Sequence, residues 1–232
     1  MGDEEVKYHK ITSDIDFSQL KFSKTRFPTG KRFIAVFLDK QPLRLKFPSL
    51  KIPFDSKLSQ YNQLEFNVSL GSHTKIINNI KKLDDQMQSF AEELNWFKNI
   101  ENSVYNPTLK ESNRSSFPPT LKIKVPFKDA ALQTVFYDEN KKLMNNVNSP
   151  SDVVELLQKG TNIQLGIECV CAWIMDDNKY GLSWKATQIQ IVSKYKPETK
   201  SHSTRPDYLF ASDSEEDEEV LSKQELECLI DD

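Results

Sequence analysis

Side chains that could act as catalysts or metal ligands are sparse along this 232-residue chain. The three histidines, His9, His73 and His202, have no cysteine or carboxylate at metal-ligand spacing. The six glycines form no phosphate-binding loop, and no serine lies in a Gly-x-Ser-x-Gly setting. The acid pairs Asp84-Asp85 and Asp176-Asp177 fall on a predicted helix surface and in a predicted turn, where solvated carboxylates are usual. The sequence therefore predicts a protein that is not an enzyme, with no metal site and no cofactor.

Basic residues recur at a spacing that suits a phosphate chain. Five of them occupy the polar positions of segments in which polar and apolar residues alternate: Arg44, Lys46, Lys122, Lys124 and Lys185. Alternate residues of a strand share a face, so neighbouring strands would combine them into a basic face of the kind that tracks single-stranded nucleic acid. Lysines on outer strand faces also deter edge-to-edge aggregation, and this simpler role stays open.

Aromatic residues would provide stacking surfaces for bases. Trp173 and Trp184 fall on apolar parities and are expected to pack in the core. Tyr180 lies beside a hairpin turn and Tyr137 at a strand end, where both are expected to meet solvent. We therefore predict Tyr137 and Tyr180 as the stacking residues.

Strands must position these side chains, and period-two alternation predicts them on both sides of one helical segment. Two long strands are predicted near the end of the regular sequence, at residues 162–175 and 180–192. In the first, alternate residues from Ile163 to Trp173, including Cys169 and Cys171, are expected to share a face. In the second, the parity of the apolar residues switches near Thr187-Gln188, which predicts a β-bulge.

The helical segment has apolar residues spaced alternately four and three apart, which predicts a helix over about residues 73–100. Its stripe consists of Ile76, Ile80, Leu83, Met87, Phe90, Leu94 and Phe97. We expect the stripe to cover the protein's own sheet, with a partner helix in a homo-oligomer as the alternative. A short second helix is predicted between Ser149 and Lys159-Gly160. The whole pattern predicts a mainly β fold, an OB-fold-like barrel of about five to eight strands covered by the long helix.

Charge is distributed unevenly along the chain. Residues 207–232 carry eleven acids and one lysine, a net charge of −10, whereas the preceding residues carry 30 basic and 23 acidic side chains, a net of +7. We predict a binding domain at residues 1–200 and a disordered acidic tail at 201–232. Within the tail, the residues expected to bind partners are Phe210, Asp213, Glu215, Glu216, Asp217, Glu218 and Glu219.

Cysteine usage and hydropathy bear on where the protein acts. Three cysteines argue against a disulfide framework and favour a reducing compartment. The acidic start, Met1 to Glu5, is followed by no apolar run, and no stretch reaches the roughly 20 apolar residues of a membrane helix. We therefore expect an intracellular protein that does not insert into membranes.

Parts of the sequence resemble a protein family spread through nucleocytoplasmic large DNA viruses. The similar segments are residues 20–37, 41–54, 95–112, 117–127 and 178–191, and their most specific stretches are FPPTLK and YGLSWK. The order of elements also resembles that of the phage single-stranded-DNA-binding replication protein, although the phage tail ends in an aromatic residue and this chain ends Leu229-Ile230-Asp231-Asp232. The resemblance implies an OB fold that coats single-stranded DNA and a tail that recruits replication proteins.

These observations predict a single-stranded-DNA-binding protein of viral DNA replication, recombination or repair, located in the cytoplasmic viral factory or the nucleus of the host. Its tail would compete with DNA for the basic groove, because a tethered polyanion can occupy the same surface. The alternative is a structural or virion protein on the same barrel, whose acidic tail binds basic partners.

Overall fold

The structure, a computed structural model, describes residues 6–23, 31–58, 63–112, 117–175 and 177–194. All of these ranges lie within the predicted binding domain. The predicted tail lies outside the described residues, together with its expected partner-binding residues from Phe210 to Glu219. The division of the chain at residue 200 therefore stays a prediction.

Strands form most of the regular structure in the described ranges. In chain order they are β1 (His9–Lys10), β2 (Lys21–Phe22), β3 (Arg32–Ile34), β4 (Val36–Leu38), β5 (Gln41–Pro42), β6 (Arg44–Lys51), β7 (Lys57–Leu58), β8 (Leu64–Ser69), β9 (Val104–Asn106), β10 (Leu109–Lys110), β11 (Thr120–Val125), β12 (Phe127–Lys128), β13 (Ala131–Leu132), β14 (Val135–Tyr137), β15 (Asn162–Ile174) and β16 (Lys179–Ser193). The helices are α1 (Thr74–Glu93) and α2 (Pro150–Leu156), and single 3₁₀ turns lie at Phe17–Gln19 and Ile100–Asn102.

Five strands close into a barrel. The main sheet runs in the order β6–β15–β16–β11–β8, and β8 pairs back with β6 through Lys51 and Ser69. The short strands β3, β9 and β14 extend the long hairpin β15–β16 at its edges. The predicted mainly β, OB-fold-like barrel is confirmed, with five strands in the closed ring.

Alternation along the barrel strands separates the core from an outer face. In β6, Leu45 and Phe47 are almost completely buried, whereas Lys46 between them is exposed. The inward side chains of all five strands belong to one apolar cluster. Burial of each large apolar side chain stabilises the fold by about 1.5–3 kcal/mol. Because the inward side chains supply this stabilisation, the outward positions can carry polar residues.

Helix α1 covers the barrel with the predicted stripe but is shorter than expected. Ile76, Ile80, Leu83 and Met87 are fully buried in the barrel's own cluster. The helix ends at Glu93 because Asn95 adopts a left-handed conformation, with φ of 49°, and Leu94 is half-exposed. Since most of the stripe is covered within the chain, its predicted packing on the protein's own sheet is confirmed. Assembly of a homo-oligomer through residues 73–100 stays a prediction.

The second helix, α2, begins and ends close to the predicted positions. The Ser149 side chain accepts from the Asp152 backbone N–H, and the Asp152 carboxylate accepts from the Ser149 N–H, which forms a capping box. Pro150 occupies the first turn, where its missing N–H costs no hydrogen bond.

Candidate nucleic-acid interface

Charged side chains cross the outside of the barrel in one register. Direct Cα partners link Arg44 on β6 to Glu168 on β15, Glu168 to Lys185 on β16, Lys185 to Lys124 on β11, and Lys124 to Glu65 on β8. Residues that are partners across a sheet point to the same side of it. We call this set the cross-strand row. Strands lie about 4.8 Å apart, so Lys124 and Arg44 are separated by about 14 Å along the curved sheet.

The five predicted basic residues share one outer surface, which we call the basic face. Lys46 and Lys122 lie two residues from Arg44 and Lys124 on their strands, and therefore on the same side. The inward neighbours Leu45, Ile123, Ile167 and Ala186 are fully buried. The predicted convergence of Arg44, Lys46, Lys122, Lys124 and Lys185 is thus present in the structure.

Two acids that the sequence analysis did not single out neutralise part of this charge. Glu168 accepts from Arg44 Nε and Nη2 at 2.7 and 2.6 Å and from Lys185 Nζ at 2.7 Å. Glu65 lies 2.6 Å from Lys122 Nζ, and its side chain is only 10% exposed. Lys46 and Lys124 have no ion pair within the described residues. The basic face therefore contains both ion-paired and free cations.

A groove of about 830 Å³ continues the basic face at one end of the sheet. Among its lining residues are Arg44, Lys46 and Tyr137, three of the predicted binding residues. Other polar side chains along it are Lys10, Lys141, Gln164, Gln188 and Gln190. Tyr137 is half-buried at the edge strand β14, paired with Gln190, so its predicted place at an accessible surface agrees with the structure.

Tyr8 forms part of the groove and was missed by the sequence analysis. Its ring lies against Gly166, where an added Cβ would be 2.9 Å from Tyr8 Cε1. The Tyr8 hydroxyl donates to Thr187 Oγ1 at 2.7 Å, and Thr187 Oγ1 donates to the Gly166 carbonyl at 2.9 Å. Thr187 is the extra residue at the predicted bulge, since Gly166 pairs with Gln188 and Ile167 with Ala186. Glycine within a strand marks a close approach of this kind, and that signal was available in the sequence.

Trp173 does not lie in the core, contrary to the expectation. The register shifts between Cys169 and Cys171, which leaves Val170 as an extra, exposed residue and reverses the parity of the strand beyond it. Trp173 is therefore half-buried on the outer side, paired with Gly181, where an added Cβ would be 3.0 Å from Trp173 Cζ2. The expected common face of Cys169, Cys171 and Trp173 was wrong for the same reason. Trp184 is buried, as predicted.

Tyr180 is buried, so the prediction that it meets solvent was wrong. It is 4% exposed, with ring centroids 5.0 Å from both Phe97 and Tyr105. Burial also raises the pKa of the Tyr180 hydroxyl. Tyr180 lies an even number of residues from the inward Leu182 and Trp184, so the alternation of the strand indicated burial. The prediction had given more weight to its position beside the turn.

Asp84 is buried and anchors α1 to the segment that leads into β10, so the expectation that it is a solvated surface carboxylate was wrong. Asp84 accepts from the Tyr105 hydroxyl at 2.7 Å and from the Thr108 backbone N–H at 2.9 Å. Desolvation raises the pKa of Asp84, although these hydrogen bonds oppose the shift. The same burial, together with the charge of Asp84, raises the pKa of Tyr105. These groups lie beneath the helix and hold it in place.

The described residues offer little for metal or thiol chemistry. No group of three or more histidines, cysteines, aspartates or glutamates within them is arranged to hold a metal ion. Cys169 and Cys171 are both buried, and burial raises the pKa of the Cys171 thiol to about 11. Thiolate chemistry is therefore disfavoured at both positions. In the same part of the chain, no helix is long and apolar enough to cross a membrane.

Comparisons with known proteins find similarity in backbone structure only. The sequence matches no protein-family model and no curated protein, so the resemblance to the viral family stays a prediction. One similar solved structure is gp2.5, a single-stranded DNA binding protein encoded by bacteriophage T7, with 9% identity, a TM-score of 0.47, and coverage of 68% of this chain and 96% of that chain.

A second is the single-stranded DNA-binding protein from bacteriophage Enc34, with 9% identity, a TM-score of 0.44, and coverage of 79% of this chain and 94% of that chain. The Enc34 protein in complex with single-stranded DNA is similar at 6% identity and a TM-score of 0.43, with coverage of 72% and 93%. At these identities and scores, the likeness by itself assigns no function to this chain.

Proposed function

We propose that this protein binds single-stranded DNA along the basic face. The observation that carries the proposal is the cross-strand row, flanked on the same side of the sheet by two aromatic rings that lie on glycines. Arg44, Lys46, Lys122, Lys124 and Lys185 would contact backbone phosphates. Such contacts release condensed counterions and supply affinity without regard to sequence.

Base stacking in this proposal depends on Tyr8, Trp173 and Tyr137. The rings of Trp173 and Tyr8 each contact the sheet at a glycine, which restricts the ring and lowers the entropy lost when a base stacks on it. Tyr137 is a further platform along the groove. A duplex keeps its bases stacked inside, so exposed rings favour an unpaired strand. Tyr180 takes no part, because it is buried in the free protein.

The biological role that fits such a face is DNA replication, recombination or repair, within the host cytoplasm or nucleus if the viral resemblance holds. The acidic tail would compete for the basic face in the free protein. When DNA displaces it, its acidic side chains and Phe210 become available to replication proteins. The charge difference between −10 in the tail and +7 in the preceding residues supports this part of the proposal.

Mobility shifts with single- and double-stranded DNA and RNA at two salt concentrations test the proposal. The informative variant is the double change Lys46→Gln with Lys124→Gln, because neither lysine has an ion pair within the described ranges and the fold should survive. We expect weaker binding and a salt dependence whose slope falls by about 1.4, that is about 0.7 for each phosphate that the variant no longer neutralises.

A matched control removes two exposed lysines from α1, Lys75→Gln with Lys82→Gln, and should leave the slope unchanged. Equal effects of the two double variants would mean that binding reports net charge and not the basic face. If the wild-type protein bound no single strand but did bind basic peptides, the structural or virion alternative would replace this proposal.

A further inference from the structure

One carboxylate occupies the middle of the cross-strand row. Both oxygens of Glu168 are used: Oε2 lies 2.7 Å from Arg44 Nε and 2.6 Å from Arg44 Nη2, and Oε1 lies 2.7 Å from Lys185 Nζ. The three side chains are 13%, 17% and 33% exposed for Glu168, Arg44 and Lys185 respectively. Glu168 therefore contacts the donors of Arg44 and Lys185 that a nucleic acid would need.

The Glu168 carboxylate uses donors that a phosphate could use in its place. Arginine and lysine hold carboxylate and phosphate oxygens through the same short, charge-assisted hydrogen bonds. A backbone phosphate that approaches Arg44 and Lys185 must displace this carboxylate or share their donors with it. In either case two anions come close together at a partly buried site, which opposes binding.

We propose that Glu168 is an internal competitor that weakens the binding of single-stranded DNA. Arg44 and Lys185 pass from its carboxylate to a backbone phosphate when a strand binds, and they return to it when the strand leaves. Glu168, Arg44 and Lys185 together carry a net charge of +1 in the free protein, so Glu168 cancels one of the two positive charges that this part of the basic face would otherwise offer to a strand. This inference rests on the proposed function and adds a residue that sets how readily the strand dissociates.

The opposite role, in which Glu168 positions Arg44 and Lys185 for binding, predicts the opposite sign. If Glu168 were a positioning residue, its removal would let both cations move freely and binding would weaken. If it is a competitor, its removal strengthens binding, because the two cations are already held near the sheet by their strands. The sign of a single affinity change therefore separates the two roles.

The test compares E168Q with wild-type protein in a fluorescence anisotropy titration of labelled oligo-dT. Glutamine keeps the shape of the side chain and one acceptor while removing the charge. We expect about fivefold tighter binding at low salt. The slope of log K against log salt should become steeper by about 0.7, equivalent to one more phosphate neutralised. E155Q removes the same charge from an exposed position on α2, and it should change neither quantity.

Equal or weaker binding by E168Q, with wild-type binding intact, would overturn this inference and leave the proposed function standing. Failure of the wild-type protein to bind any single strand would overturn the proposed function itself. A measurement on the wild-type protein avoids dependence on the variant's folding: the NMR signal of Arg44 Nε–H should shift when oligo-dT is added. An unchanged signal at saturating DNA would show that Arg44 stays on Glu168, contrary to the proposed exchange.

Discussion

Replacing Trp173 with leucine removes an indole ring from the outer side of β15 while leaving the core intact, since Ala172 and Ile174 are the residues that point inward. The ring contacts the sheet at Gly181 and is half-buried, so it offers only part of its surface to a base. Stacking on an aromatic side chain is worth about 1–3 kcal/mol per base. Because the ring is half-buried, we expect a loss of about 1–2 kcal/mol, or roughly a five- to thirtyfold weaker affinity for oligo-dT.

Tryptophan fluorescence gives this prediction a specific readout. Trp96 and Trp184 are 7% and 3% exposed, so Trp173 is the indole placed to be quenched by a stacked base. Trp173→Phe keeps a ring and should retain most of the affinity, but DNA should no longer quench the remaining fluorescence. Trp173→Leu should lose the quenching and also the affinity that the ring supplies. Thermal unfolding of each variant verifies that the outer position tolerates the change.

The result that would refute the reasoning is quenching of unchanged amplitude in Trp173→Phe. It would mean that the quenching comes from Trp96 or Trp184 and not from a base stacked on Trp173. Normal affinity of Trp173→Leu would likewise exclude the ring as a stacking platform.

Three further changes have defined outcomes. Lys122→Met should lower the free energy of unfolding by about 1 kcal/mol in urea melts, because it leaves the nearly buried Glu65 without its cation, whereas an unchanged or higher stability would mean that the ion pair does not stabilise the fold. Truncation after Pro206 should tighten DNA binding at low salt, with the difference shrinking as salt screens the tail; an unchanged low-salt affinity would remove the competitor role of the tail. The raised pKa of Asp84 means that the folded state binds this proton more tightly than the unfolded state, so the contribution of Asp84 to stability should fall as pH rises from about 4 towards neutrality. Asp84→Asn should remove that contribution, and parallel stability profiles for the two proteins would contradict it.

The strands and the basic face could be predicted because both depend on a local rule. Successive side chains of a strand point to opposite sides, so the alternation of Lys122 and Lys124 with Ile123 and Val125 decides which residues face outward. The same rule, with a helical period, predicted the stripe of α1. The end of that helix was overestimated, because Phe97 continues the apolar spacing although the chain has already left the helix near Asn95.

The aromatic part of the site could not be predicted in the same way. The run from Cys169 to Ile174 is almost entirely apolar, so no alternation reveals that Val170 bulges out and turns Trp173 to the surface. The position of Tyr8 depends on a two-residue strand, β1, which pairs with β6 more than thirty residues away. Gly166 and Gly181 were the available signals, since glycine inside a strand indicates that another group approaches the backbone.

The sequence by itself determined which side of each regular strand is polar, because that depends only on neighbouring residues in one chain segment. Only the tertiary structure decided which strands lie side by side, and hence that Arg44, Glu168, Lys185 and Lys124 meet in one register. Pairing between distant strands, and the bulges that shift it, arise from closure of the whole barrel. The balance of free and neutralised cations on the basic face therefore emerges only when the sheet has formed.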